Sequence, residues 1–94
     1  MTQPLQLAIL PGDGIGEEIT RPCVELVQQA LRQVGEPEAV ENWLEAGAGT
    51  YIKQGTSLPD ETVACGRAAD AILLAAMGDP EVRYPDGTEI VPQI

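Results

Sequence analysis

The residues best suited to chemistry in this chain form one short run, Pro11-Gly12-Asp13-Gly14-Ile15-Gly16. Glycines at alternate positions let a backbone turn sharply and keep amide groups clear of side chains, and such amides at a helix start attract phosphate. The spacing is GxGxG, which departs from the GxGxxG of the dinucleotide fingerprint, and the lysine of a P-loop is missing. Glu17 and Glu18 follow directly and would repel a pyrophosphate. Two readings of the run stand side by side. It is a tight turn between a strand and a helix, or a corner that touches a nucleotide without cradling its phosphates.

The other reactive side chains are sparse. There is no His, and the two cysteines, Cys23 and Cys65, do not form a CxxC pair, so neither a zinc site nor a His-activated thiol is expected. Their separation leaves a disulfide open; two small buried thiols in a reducing compartment are the favoured reading. Five Lys and Arg against fifteen Asp and Glu give a net charge of -10, the wrong sign for neutralising nucleic-acid phosphates or an anionic membrane surface. That acidity reads as a solvated face. The first residues show no signal-peptide pattern and no apolar run is long enough to span a bilayer, so a cytoplasmic protein is expected.

Several short elements must position the glycine run. With 94 residues the chain holds at most one domain, and with no Phe and 3% aromatics its core must come from Ala, Val, Ile and Leu. Leu5 to Leu10 reads as a buried strand stopped by Pro11-Gly12. A helix follows, with Ile19, Cys23, Leu26 (or Val27), Ala30 and Val34 on its expected inner face, ended by Gly35 and Pro37. Pro22 predicts either a kinked first turn or a later helix start. Ala39 to Leu44 is a second extended segment, Gly47-Ala48-Gly49 a break, and Thr50 to Gln54 a single helical turn closed by Gly55. Pro59-Asp60-Glu61 opens another helix that runs to Ala68 or Ala69. Ala71 to Ala76, apolar throughout, predicts a parallel strand covered on both faces. The remainder is turn-rich, with a tight turn at Tyr84-Pro85-Asp86-Gly87. The alternation implies an α/β fold of parallel strands with crossover helices.

Three segments, taken together, resemble one family. Leu10-Pro11-Gly12-Asp13-Gly14-Ile15-Gly16 is similar to the opening motif of the isopropylmalate, isocitrate, homoisocitrate and tartrate dehydrogenases, although Glu17 stands where that motif usually has Pro. Leu58-Pro59-Asp60-Glu61-Thr62 and the stretch from Ala69 to Pro80 resemble the family's second helix, third strand and following loop. Val82 to Ile90 is similar to the approach to the substrate loop in tartrate-like members. The resemblance spans nearly the whole chain in the family's order. It implies the N-terminal part of an isopropylmalate/isocitrate dehydrogenase-like domain with an incomplete sheet. The implied activity is oxidation of a 2-hydroxy acid by NAD or NADP, then decarboxylation with Mg²⁺ or Mn²⁺ polarising the new carbonyl.

The resemblance also implies particular residues. Ile15 would lie against the bound nucleotide, and Ala75, Ala76 and Met77 would approach its nicotinamide end. Gln93 and Ile94 would begin the substrate-selecting loop. The family's substrate arginines, catalytic Tyr and Lys, and metal-binding aspartates would all lie beyond Ile94. Asp13, Asp60, Asp70, Asp79 and Asp86 match no family metal position, and solvated or capping roles are expected for them. Residues 1–94 are therefore expected to be a partial nucleotide-binding region, inactive alone, from an enzyme that is a homodimer when complete. The incomplete sheet would expose an edge and apolar helix surface. The alternative is a stand-alone nucleotide-binding or regulatory module acting with a partner chain.

Overall fold

A computed structural model describes residues 3–90. Three parallel strands, β1 (Gln6–Gly12), β2 (Val40–Trp43) and β3 (Ala71–Ala76), form a sheet in the order β2-β1-β3. The helices are α1 (Ile15–Gln33), α2 (Ala48–Gln54) and α3 (Asp60–Ala68). In the sheet Leu7 pairs with Glu41 on one side and with Ala71 on the other, so β1 is central. Leu7, Ile9 and Leu10 are buried there as an aliphatic centre with no aromatic ring. The face carrying Leu7 and Ile9 packs on Val24 of α1, with Leu31 alongside. The opposite face, Ala8 and Leu10, packs on Ala46, Leu58 and Ala69 at the ends of the second crossover. The two crossovers thus lie on opposite faces, and strand order reverses at the boundary between β1 and β3.

The parallel α/β architecture agrees with the expectation, and several details correct it. Strand β1 does not stop at Pro11: Gly12 continues the ladder opposite Ala76. Helix α1 runs from Ile15 through Pro22 without interruption, so the later start does not occur. Pro22 and Glu18 both face solvent, where water can satisfy the carbonyl that proline leaves free. Helix α2 begins at Ala48, inside the segment expected to be a break, and ends at Gly55 as anticipated.

The largest correction concerns the inner face of α1. The buried residues are Gly16, Thr20, Val24 and Gln28, whereas Ile19 and Leu26 are 50% and 66% exposed and Val34 is also outside. The cause is a close approach at Gly16. A Cβ there would lie 2.0 Å from the Pro11 carbonyl oxygen, so only glycine lets the helix sit this low on the sheet. With Gly16 innermost, the 3.6-residue turn brings Thr20, Val24 and Gln28 inward in succession. Gln28 then acts as a surrogate strand end: its Oε1 accepts from Ala39 N at 2.7 Å, and its Nε2 donates to Ala39 O at 3.0 Å. Cys23 falls on the outer face and Cys65 is also exposed, so the expected buried thiols are free surface thiols instead.

Strand β3 is not covered on both faces among the described residues, because Ile72 and Leu74 are 51% and 45% exposed. It lies at a sheet edge, and with the outer stripe of α1 it makes the exposed apolar surface expected of an incomplete sheet. The turn at Tyr84–Gly87 is present, closed by Gly87 N donating to Tyr84 O at 2.9 Å. Tyr84 also packs edge-on against Tyr51 of α2, with ring centroids 5.1 Å apart. No described helix is long and apolar enough to cross a membrane.

Candidate functional site

Gly12 ends β1 with a φ of 75°, and a Cβ there would meet the Ala76 carbonyl oxygen at 2.0 Å. That pairing draws the glycine corner against the carboxyl end of β3. Asp13 N then donates to Ala76 O at 2.8 Å, and a Cβ on Gly16 would stand 3.0 Å from that same oxygen. Ile15, the first residue of α1, is held between Gly14 and Gly16 with its side chain 62% exposed. Ala75, Ala76 and Met77 are half-buried at the end of β3. The corner therefore brings together the four residues singled out for nucleotide contact. It does so where strand order reverses, the place in open parallel sheets where a crevice forms. Gln93 and Ile94 lie outside the described residues.

Two amides at the helix start are already engaged. Gly16 N donates to Asp13 O at 3.0 Å and Glu17 N to Gly14 O at 3.2 Å. With these donors used internally and Glu17 and Glu18 exposed beside them, this helix start offers little to a phosphate. It suits an uncharged, flat group laid on Ile15, with open space around Gly14. A pyrophosphate does not fit that description. Among the described residues no three His, Cys, Asp or Glu side chains converge as metal ligands.

Asp13 is capping, as expected, but it is buried rather than solvated. Its Oδ2 accepts from Ala48 N at 2.7 Å and Gly78 N at 2.8 Å, and its Oδ1 accepts from Gly49 N at 2.8 Å. The available signal was an acid flanked by glycines, together with the small residues Gly47, Ala48 and Gly49, which leave room for it. The remaining acids behave as expected. Asp79 accepts from Glu81 N and Asp86 from Thr88 N, each closing a local turn, and Asp70 accepts from Gln6 N where β3 begins beside β1.

Beside the corner, on its β2 side, a cleft of about 250 Å³ is lined by Glu17, Trp43, Glu45 and Lys53. Arg21 stacks on the Trp43 ring, 4.7 Å from its centroid. The Gln28 amide and then the Trp43 indole donate to the Glu41 carboxylate at 2.9 and 3.0 Å, and with Arg21 nearby they hold its pKa below the usual 4.5. A carboxyl more acidic in the folded chain contributes stability above the unfolded value and loses it as pH falls through the folded one. Replacing Glu41 by Gln is thus expected to lower the stability read from a urea titration near neutral pH by no more than about 1 kcal/mol, since the group is open to solvent. The difference should shrink as acid protonates the carboxylate. An equal difference at all pH values would remove the ionic explanation.

The sequence pattern of the isocitrate/isopropylmalate dehydrogenase family matches residues 6–92. The chain belongs to this family. Among similar proteins of this dehydrogenase family, the 3-isopropylmalate dehydrogenase of Chromohalobacter salexigens is 47% identical over 76 residues, covering 81% of this chain and 21% of that protein. That of Corynebacterium kroppenstedtii is 41% identical over 83 residues, covering 88% of this chain and 24% of its own length. That of Xanthomonas oryzae pv. oryzae is 47% identical over 77 residues, again with 81% and 21% coverage. The chain spans less than a quarter of these dehydrogenases, and the matched part contains the whole glycine corner, β3 and the loop beyond it.

Proposed function

We propose that this chain is the N-terminal portion of an NAD- or NADP-dependent, metal-dependent dehydrogenase that oxidises and decarboxylates a 2-hydroxy acid. The similar dehydrogenases make 3-isopropylmalate the substrate to test first. The observation that carries the reading is the close approach of Gly16, the neighbour of Ile15, to Ala76 at the strand-order reversal. There the chain can hold the reactive ring of a nicotinamide cofactor, which accepts the hydride from the substrate carbon when bound. Ile15 supplies an apolar surface for the ring, and the end of β3 limits its depth in the crevice. The exposed carboxylates of Glu17 and Glu18 leave the phosphates to be held elsewhere. Mg²⁺ or Mn²⁺ would polarise the carbonyl of the oxidised substrate, on ligands outside the described residues. The substrate-selecting role of Gln93 and Ile94, a two-copy assembly and a cytoplasmic setting belong to the same proposal.

The reading has a direct test. The 94 residues alone, given NAD, Mg²⁺ and isopropylmalate, isocitrate, tartrate or malate, are expected to reduce no NAD, whereas the full polypeptide carrying them reduces NAD with isopropylmalate. In that full polypeptide, Ile15→Lys should raise the KM for NAD by about tenfold or more, because an ammonium would lie against the positively charged oxidised ring. Turnover by the 94 residues above a buffer blank, or an unchanged KM in the Ile15 variant, would overturn the respective half of the proposal.

A further inference from the structure

One carboxylate ties two separate parts of the chain to the glycine corner. Asp13 is 8% exposed, and its two oxygens accept backbone N–H groups from Ala48 and Gly49 at the start of α2 and from Gly78 just past β3. Its own N–H donates to Ala76 O. The seat is closed by Gly47, where a Cβ would stand 2.3 Å from Oδ2 and where φ is 106°. A carboxylate is the short side chain whose polar atoms are all acceptors. An amide in its place would turn an NH₂ group towards one of the three donors, and an apolar side chain would leave all three without a partner.

The placement of Asp13 has a consequence for the crevice. Nothing in the ladder holds the segment beyond Ala76, because β3 ends there. The Gly78 N–H bond to Asp13 holds it instead, with Gly78 at a φ of 102°. Asp13 is also two residues from Ile15, on the turn that starts α1. The same side chain thus sets the distance between the two walls singled out for the cofactor. We propose that Asp13 is a positioning residue for the reaction, fixing the Ala75–Gly78 segment against Ile15 so that the crevice admits the nicotinamide ring at one depth. This rests on the function proposed above and adds a residue that touches neither substrate nor cofactor.

The test uses the full polypeptide that carries this segment. Asp13→Asn is expected to raise the KM for NAD by about 10- to 100-fold, the scale on which misplacement by an ångström acts. The KM for the 2-hydroxy acid should change far less. Gly47→Ala, which keeps the carboxylate but pushes it from its seat, should produce the same pattern. A lower Tm with an unchanged KM for NAD in either variant would mean that Asp13 only supports the fold, and would overturn the proposal. Should neither variant fold, hydrogen exchange on the unaltered protein decides. NAD at about ten times its Kd should slow exchange at Gly78, Ala48 and Gly49 together by roughly tenfold. No slowing at these amides would count against the proposal. A full polypeptide that reduces no NAD would fail earlier, in the wild-type assay, and so marks failure of the functional reading rather than of the Asp13 assignment.

Discussion

Replacing Gly16 by alanine is expected to destabilise the chain by about 3 kcal/mol, the upper range for forcing extra atoms into a packed interior. The sign of this result is informative because helix propensity argues the other way. In an open helix, Gly to Ala stabilises by about 1 kcal/mol. Here the added Cβ would stand 2.0 Å from the Pro11 oxygen and 3.0 Å from the Ala76 oxygen. Both are backbone atoms, so no rotamer change can relieve the contact, and α1 must rise or tilt. A urea titration followed by the fluorescence of Trp43 would show the lowered midpoint. A raised midpoint would mean that α1 does not sit on Gly16, and the rotation of the helix described above would be wrong. In the full polypeptide the same substitution should also disturb nucleotide binding, since Ile15 moves with the helix start.

The second large effect is expected at Ile9. Its side chain is fully buried in central β1, in one cluster with Leu7 and Val24. Ile9→Ala removes most of that side chain from a packed cluster bordered by Leu31, Trp43 and Leu73, and should cost about 2–5 kcal/mol. Leu26→Ala is its control. Leu26 is as hydrophobic, lies on α1 and is 66% exposed, so its truncation should fall within about 0.5 kcal/mol of zero. Comparable losses at the two positions in the urea titration would indicate that the outer stripe of α1 is buried in solution, contrary to the packing found here.

The elements of this fold were legible because they depend on neighbours along the chain. The apolar run at Ala71–Ala76, the Pro-Asp-Glu start of α3, the end of α2 at Gly55 and the turn at Tyr84–Gly87 all follow from backbone preferences a few residues long. The family resemblance was legible for a similar reason: the glycine corner, the α3 start and β3 are contiguous motifs in the family's order. The burial of α1 was not legible. Hydrophobicity ranks Ile19, Cys23 and Leu26 above Gly16, Thr20 and Gln28, yet the helix turns the second set inward. The need for bare backbone at Gly16, against the carbonyl oxygens of Pro11 and Ala76, outweighs the apolar stripe, and the contact with Ala76 joins residues far apart in sequence.

Residue order alone specified a parallel α/β chain, its strand and helix identities, and the short run from which a cofactor corner is made. Tertiary packing decided which side of α1 faces the sheet, that both thiols stand outside, and that Asp13 is a buried acceptor joining three segments instead of a solvated acid. The physical reason is the range of the forces involved. Backbone torsions and helical periodicity act over a few residues, whereas a carbonyl oxygen 2.0 Å from a missing Cβ, or an amide 65 residues distant from its acceptor, exists only after the strands have paired.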